Sequence, residues 1–375
     1  MNFTVSSSEL LHGLLSVSRV ISNKNQLPIL DNFLFVLKND TLEITASDLE
    51  MTLKTNVKID EVIEEGEIAV PAKLLTDSLK EFPDLPLTFI KNEKDSTIEI
   101  KWLNGESNLP YFSADDYPEL PAIGEENTTI SFPSSVLLSG INNTIYATAE
   151  EELRPVMNGI FFDITPNDTT LVASDSHKLV SYTREDIKAE NSSSFILPKK
   201  PASILKSLLT KSDDDVKIVY DSKNAYFEFD GNILICRLVE GNYPAYRSVI
   251  PTNNPNKLYI NRVDLLNASK RIAVCSNQAT SHVKFSLSFN KLIISAQDLS
   301  FSISAHEVLN CTYEGDPMDI GFKSNFLIEI LNNLPFDEIC LQLADPCRAG
   351  LIVSADESDQ EAIIKSLLMP VRIPV

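Results

Sequence analysis

The feature that most constrains this chain is self-similarity: a unit of about 127 residues is written three times. Each third opens with a short alternating strand that runs into an amphipathic helix: FTVSSSELL from Phe3, ISFPSSVLL from Ile130 and LYINRVDLL from Leu258, with starts 127 and 128 residues apart. A second landmark is a pair of alternating, β-branched runs closing on Ala-x-Asp, at Asp48, Asp175 and Asp298, each with a turn before it, which predicts hairpins. A third is a strand that passes straight into a helix, IAVPAKLLTDSLKEF, FILPKKPASILKSLL and DIGFKSNFLIEILNNL. Pro71 and Pro198 stand at the strand ends, where a residue without an N–H can open a helix. Units one and two end on ADDYPEL and EGNYPAY, whereas unit three ends on the apolar tail KSLLMPVRIPV.

These landmarks predict an α+β fold of three tandem domains, each with two helices packed on antiparallel sheets. The boundaries 1–125, 126–253 and 254–375 fall in the polar segments GEENTT and TNNPN. A chain of 375 residues is too long for one core, and 43% hydrophobic with 23% charged residues is globular composition. No basic leader followed by an apolar run and no long uncharged stretch occurs, so a soluble cytoplasmic protein with no membrane partner is expected. Five cysteines without a CxxC pair, Cys236, Cys275, Cys311, Cys340 and Cys347, predict buried free thiols in a reducing compartment.

The formal charge of −21 is unevenly spread. Helices drawn over 8–24, 71–82, 134–147, 199–211, 262–275 and 323–334 hold 12 basic and 5 acidic residues, a net +7, which leaves −28 elsewhere. The fourth helix carries Lys199, Lys200, Lys206 and Lys211 and no acid, the first ends in Arg19 and Lys24, the second carries Lys73, and unit three supplies Lys270, Arg271 and Lys323. The plain reading of any one lysine is a solvated helix face. Recurrence across most helices of an acidic chain points to an electropositive surface for double-stranded DNA. No aromatics interleave and no finger is present, so contact would be phosphate-directed and sequence-independent.

Enzymatic chemistry is not expected. The 11 glycines form no G-x-G, and four histidines without HExxH or paired Cys make a metal site unsupported, so neither cofactor nor metal is expected. SDSHK, Ser174 to Lys178, gathers Ser, Asp and His, but triad members converge from separate elements and neighbours in an extended segment face opposite ways. His177 suits the polar rim of a pocket or a satisfied surface position. The Met/Pro tail fits either a final core strand or an adaptable groove.

Together MNFTV, LPIL at Leu27, ASDLEM at Ala46, NGIFF at Asn158, SDSHKL at Ser174, LVEGNYPAYRSVIP at Leu238 and MPVRI at Met369 resemble the bacterial DNA polymerase III beta subunit family, the replicative sliding clamps, over the whole length. The resemblance implies a head-to-tail homodimer whose six domains close a ring, with helices inside and sheets outside. Its function would be to tether the DNA polymerase III catalytic subunit, after loading by an ATP-driven clamp loader. It further implies a pocket between domains two and three for short linear motifs of polymerases, loader and repair proteins. By local motif its wall is Met157, Leu179, Pro244, Val249, Leu367, Met369, Pro370 and Val371, with Ser174, His177 and Arg372 as polar groups. Lys24 and Arg154 match loop positions that in the family approach the duplex. The chain departs from the family at Ser176, where Gly is frequent, and at Lys178 and Ser248, where Arg is frequent, which bears on motif preference. A peptide-binding scaffold without a DNA role and a hydrolase built on Ser174, Asp175 and His177 are the alternatives.

Overall fold

The structure, a computed structural model, describes residues 1–22, 25, 27–150, 154–210, 212–356 and 361–373. Each repeat holds two α-helices among these residues: α1 (Ser7–Val17), α2 (Ala72–Leu79), α3 (Ser134–Thr144), α4 (Lys199–Leu209), α5 (Arg262–Ala273) and α6 (Ser324–Asn333). Their starts follow local chemistry. The Ser6 side chain accepts the Glu9 amide to cap α1, the Asn261 side chain accepts the Val263 and Asp264 amides to cap α5, and Pro71 stands at the N-cap of α2.

The helices end earlier than the sequence suggests. The first helix, drawn over 8–24, gives way after Val17, where the Ser18 amide closes on Leu14 and tighter turns follow from Val20 to Val17 and from Ile21 to Ser18. Arg19 thus lies beyond α1, hydrogen-bonded to the Ser207 hydroxyl, and Lys24 and Lys211 lie outside the described residues. Over the observed bounds the helices carry seven basic and four acidic side chains, so their excess is +3 rather than +7.

The chain forms two compact units, which are described separately. The first contains Met1–Leu138 and Ser203–Leu238. It holds a five-stranded sheet, ordered Glu61–Glu64, Asn2–Ser6, Pro86–Asn92, Thr97–Trp102, Gly105–Pro110, and an eight-stranded one. In the eight-stranded sheet, Asn232–Arg237 of the second repeat pairs antiparallel with Met51–Lys58 of the first, for example Leu234 opposite Leu53. Phe3 stacks on Phe89 across paired strands at 5.0 Å, both rings fully buried. At roughly 2–3 kcal/mol for each fully buried Phe, such pairs anchor the core. α1 lies close on the sheet because position 13 is glycine, whose missing Cβ would stand 2.6 Å from Val57 Cγ2.

The second unit contains Ser139–Ala202 and Val239–Val375, with a nine-stranded and a four-stranded sheet. In the larger sheet Lys178–Arg184 of the second repeat pairs antiparallel with Ile363–Leu368 of the third, Leu179 opposite Leu367. The four-stranded sheet ends on Ile303–Asn310, which pairs on one side only, with Lys291–Asp298. No helix among the described residues is long and apolar enough to cross a membrane. The cysteines are free as expected, but not uniformly buried: Cys236 and Cys340 are, while Cys347 is exposed. Burial pushes the Cys236 thiol far above its ordinary range, so it is inert.

Candidate functional site

The segment SDSHK is not extended; it is the turn of the hairpin Thr169–Ser174 / Lys178–Arg184. The Asp175 carboxylate accepts the His177 and Lys178 amides at 2.8 and 2.9 Å, and the Ser174 hydroxyl donates to the Lys178 carbonyl at 2.9 Å. Ser174 and Asp175 are thus committed to building the turn, and the His177 ring stacks on Phe326, centroids 5.5 Å apart. This arrangement has none of the hydrogen-bond relay that a hydrolytic triad needs. Ser176 sits at φ 76°, a left-handed position that glycine would take without strain.

Adjacent residues of the following strand serve opposite faces. Leu179 joins Val172, Tyr246, Ala349 and Leu367 in an apolar cluster, with Phe161, Tyr243 and Ile250 packed against it. Tyr243 stacks on Phe161 at 4.7 Å, and the Tyr246 hydroxyl donates to Asp163 at 2.7 Å. Burial first, then that hydrogen bond, push the Tyr246 phenol well above its usual range, so it stays neutral. Pro244 and Val249 flank Tyr246 in sequence and are both exposed, Val249 by 55%.

On the other face lies a cavity of about 750 Å3 whose lining includes Met157, His177, Arg154, Lys199, Lys323 and Phe326. The C-terminal tail connects the two copies here. The Met369 amide donates to the His177 carbonyl at 2.9 Å, and the Val371 amide donates to Gly321 at 2.8 Å. Gly321 permits that approach, since a Cβ there would lie 2.8 Å from the Val371 carbonyl oxygen and 2.7 Å from Ile373 Cγ1. Met369 is 40% exposed; Pro370 and Val371 are half-buried and Arg372 is exposed. The tail is therefore both of its expected things: a core strand through Leu368, then an accessible segment.

The residues singled out for the pocket thus divide: Leu179 and Leu367 are buried in the apolar cluster, Pro244, Val249 and Met369 to Arg372 are partly or fully open, and Met157 and His177 line the cavity on the other face. Ser174 serves the turn. Those singled out for DNA divide differently. Lys73, Lys200 and Lys206 are exposed on their helices. Arg154 donates to the Ser176 hydroxyl, Lys199 pairs with Glu150 at 3.3 Å, and Lys323 stands 5.3 Å over the Phe326 ring, so these three line the same cavity as His177. Lys270 donates to the Asn332 side chain at 3.3 Å, and Arg271 is held by both oxygens of Glu307. Helix-face counting missed that last pair because Glu307 lies on a strand. It also missed Phe326 and Glu329, whose apposition to residues 177 and 178 is purely tertiary.

The family models for the DNA polymerase III beta subunit match in order along the chain: N-terminal domain over residues 1–121, central domain over 131–245, C-terminal domain over 247–372. The chain belongs to the DNA polymerase III beta subunit family. Its function is that of a sliding clamp on DNA. Beta sliding clamps of Vibrio cholerae and Escherichia coli K12 are 27% and 29% identical over 374 residues, covering all of both chains. The solved DNA polymerase III subunit beta of Pseudomonas aeruginosa superposes with a TM-score of 0.94 at 28% identity and full coverage. A clamp from Bartonella birtlesii bound to griselimycin gives 0.90 at 30%, again with full coverage of both chains.

Proposed function

We propose that three clamp domains, residues 1–125, 126–253 and 254–375, close head to tail with those of a second chain into a ring of six around duplex DNA. The observation that carries this reading is a rule repeated inside the chain. The strand after the Asp turn in one repeat pairs with the last strand of the next repeat: Met51–Lys58 with Asn232–Arg237, and Lys178–Arg184 with Ile363–Leu368. The third repeat's counterpart, Ile303–Asn310, and the first repeat's last strand, Gly105–Pro110, each end a sheet. An interface that joins unlike surfaces either closes into a ring or runs on as a filament. A ring is the outcome that suits a clamp, and pairing removes two open edges.

The proposed ring works without catalysis, in the cytoplasm, and depends on a separate ATP-driven loader, because no phosphate-cradling motif is present to power opening. Lys24, Lys73, Arg154, Lys199, Lys200, Lys206, Lys270, Arg271 and Lys323 supply a diffuse phosphate-directed field. The apolar cluster at Leu179 and Leu367, with the rim of Met369 to Arg372 and the wall of His177 and Met157, takes short linear motifs of the polymerase, the loader and repair proteins. Sedimentation should give twice 41.7 kDa, and the loaded protein should persist on circular duplex but run off short linear duplex. Equal loss from both overturns the ring. Retention on DNA that is insensitive to salt and to reversal of Lys200 and Lys206 would overturn the phosphate-directed field.

A further inference from the structure

One buried ammonium ties the second repeat to the third. Lys178 is 4% exposed, with Nζ 2.9 Å from Asp175 Oδ2 in its own turn and 2.7 Å from Glu329 Oε2 on α6. It also lies 4.7 Å over the ring of Phe326. Phe326 and Glu329 are three residues apart on α6, so one helix face presents both groups. That same Phe326 ring stacks on His177, whose carbonyl receives the Met369 amide. The turn, helix and tail therefore share one contact, and the Glu329 bridge spans it with charge. On the opposite face of the strand, Leu179 enters the apolar cluster with Leu367. Lys178 does not belong to that cluster.

Removing one member of a buried ion pair leaves its partner desolvated and uncompensated, a worse state than having neither. Here two carboxylates share a single cation. Without Lys178, Asp175 and Glu329 would face each other across the contact and repel, driving α6 from the turn. Without the Glu329 charge, Lys178 would still hold Asp175 within the turn, but the charged tie to α6 would be cut.

We propose that Lys178 is a positioning residue: its bridge to Glu329 holds α6 against the Asp175–His177 turn and so sets His177, Leu179 and Met369 in register for a docked motif. The inference rests on the reading of that region as the motif pocket. It predicts that binding depends on two residues outside the apolar cluster, acting as one unit.

The test is calorimetric titration of the full-length protein with griselimycin, the compound bound to two of the solved relatives. Glu329→Gln and Lys178→Met should each weaken binding about 10-fold, and the double variant no further than the weaker single, because both cut one bridge. Lys178→Arg should stay within about 3-fold of the parent, since it keeps the charge. Hydrogen exchange at the Met369 amide should quicken in Glu329→Gln while the melting temperature stays near the parent's. Glu329 is 40% exposed, so this near-isosteric variant folds and decides the matter even if Lys178→Met does not. Parent-like binding by Glu329→Gln, with Leu179→Asp abolishing it, overturns the positioning role and leaves the pocket standing. Binding that is absent in the parent, or indifferent to Leu179→Asp, overturns the pocket reading and the proposal with it.

Discussion

The two repeat-to-repeat seams share a backbone and differ in what fills it. At the second, Lys178, Asp175 and Glu329 form an ion triad. At the first, aligning the repeats puts Met51 where Lys178 stands and Ile204 where Glu329 stands, and both are buried. The turns are nonetheless the same device. Asp48 accepts the Glu50 and Met51 amides at 3.1 and 2.9 Å, as Asp175 accepts those of His177 and Lys178. Leu49 and Ser176, one residue after each Asp, adopt φ 77° and 76°. Side-chain-to-backbone bonds of this kind are local, so duplication copies them intact. The filling is tertiary and free to diverge. An apolar seam stabilises without unpaired polar groups, whereas a buried ion pair is weak support for stability and stronger for a defined geometry. The ionic filling occurs at the seam where the motif pocket is proposed.

Charging the apolar seam should produce the largest effect. Met51→Lys buries an ammonium with Asp48 at hand, as Lys178 has Asp175, but with Ile204 where Glu329 would stand, and is expected to cost about 3 kcal/mol, read as a fall in the urea midpoint. Adding Ile204→Glu, to imitate the second seam, should recover a measurable part of the loss. A neutral single variant would mean that the first seam is wet, and the contrast between the seams would fail.

The same alignment extends to the seam proposed between chains. Phe301 occupies the Lys178 position in the third repeat and is 75% exposed; Leu74 occupies the Phe326 position in the first and is 48% exposed. Exposed apolar groups are ordinary one at a time, but these two stand at positions that face each other at the second seam, Lys178 over Phe326, and would cover each other across the proposed dimer. Phe301→Asp is therefore expected to weaken dimerisation by about 30-fold or more, the effect of losing about 2 kcal/mol at an interface anchor. Its melting temperature as a dilute monomer should not fall. Equilibrium sedimentation across a concentration series checks this, and a dimer of parental affinity breaks the third-seam equivalence.

What could be read in the sequence follows the same division between local and tertiary. Repeat period, hairpins and helix starts were legible because Asp48, Asp175, Pro71 and Asn261 act on backbone within a few residues. Helix ends were less so, since residues 18–24 carry no proline or glycine stop and the chain leaves the helix by tight turns at Ser18 and Val20. Leu179 and Leu367 were singled out only through the family resemblance, because their pairing spans most of two repeats. Lys178 and Glu329 are 151 residues apart, and neither position alone signals the other. Arg271 looked available because its partner lies on a strand of the same repeat rather than on a helix.

The smallest expected effect tests whether the two turns really are one device. Leu49 and Ser176 are both exposed, so replacing either with glycine disturbs little packing. A non-glycine residue in the left-handed region is strained by roughly 1–2 kcal/mol, and glycine costs about 0.5–1 kcal/mol in added freedom of the unfolded chain. The balance favours glycine, so Leu49→Gly and Ser176→Gly should each stabilise, by up to about 0.5 kcal/mol. The prediction is shared sign more than equality: both residues follow an Asp that closes the same two amides, so both should gain, Ser176→Gly by less because it removes the hydroxyl to which Arg154 donates. Chemical denaturation of each single variant measures them. A gain at one turn with a loss at the other would mean that the backbones diverged along with the side chains, and that the ion triad, rather than the inherited turn, holds Ser176 where it is.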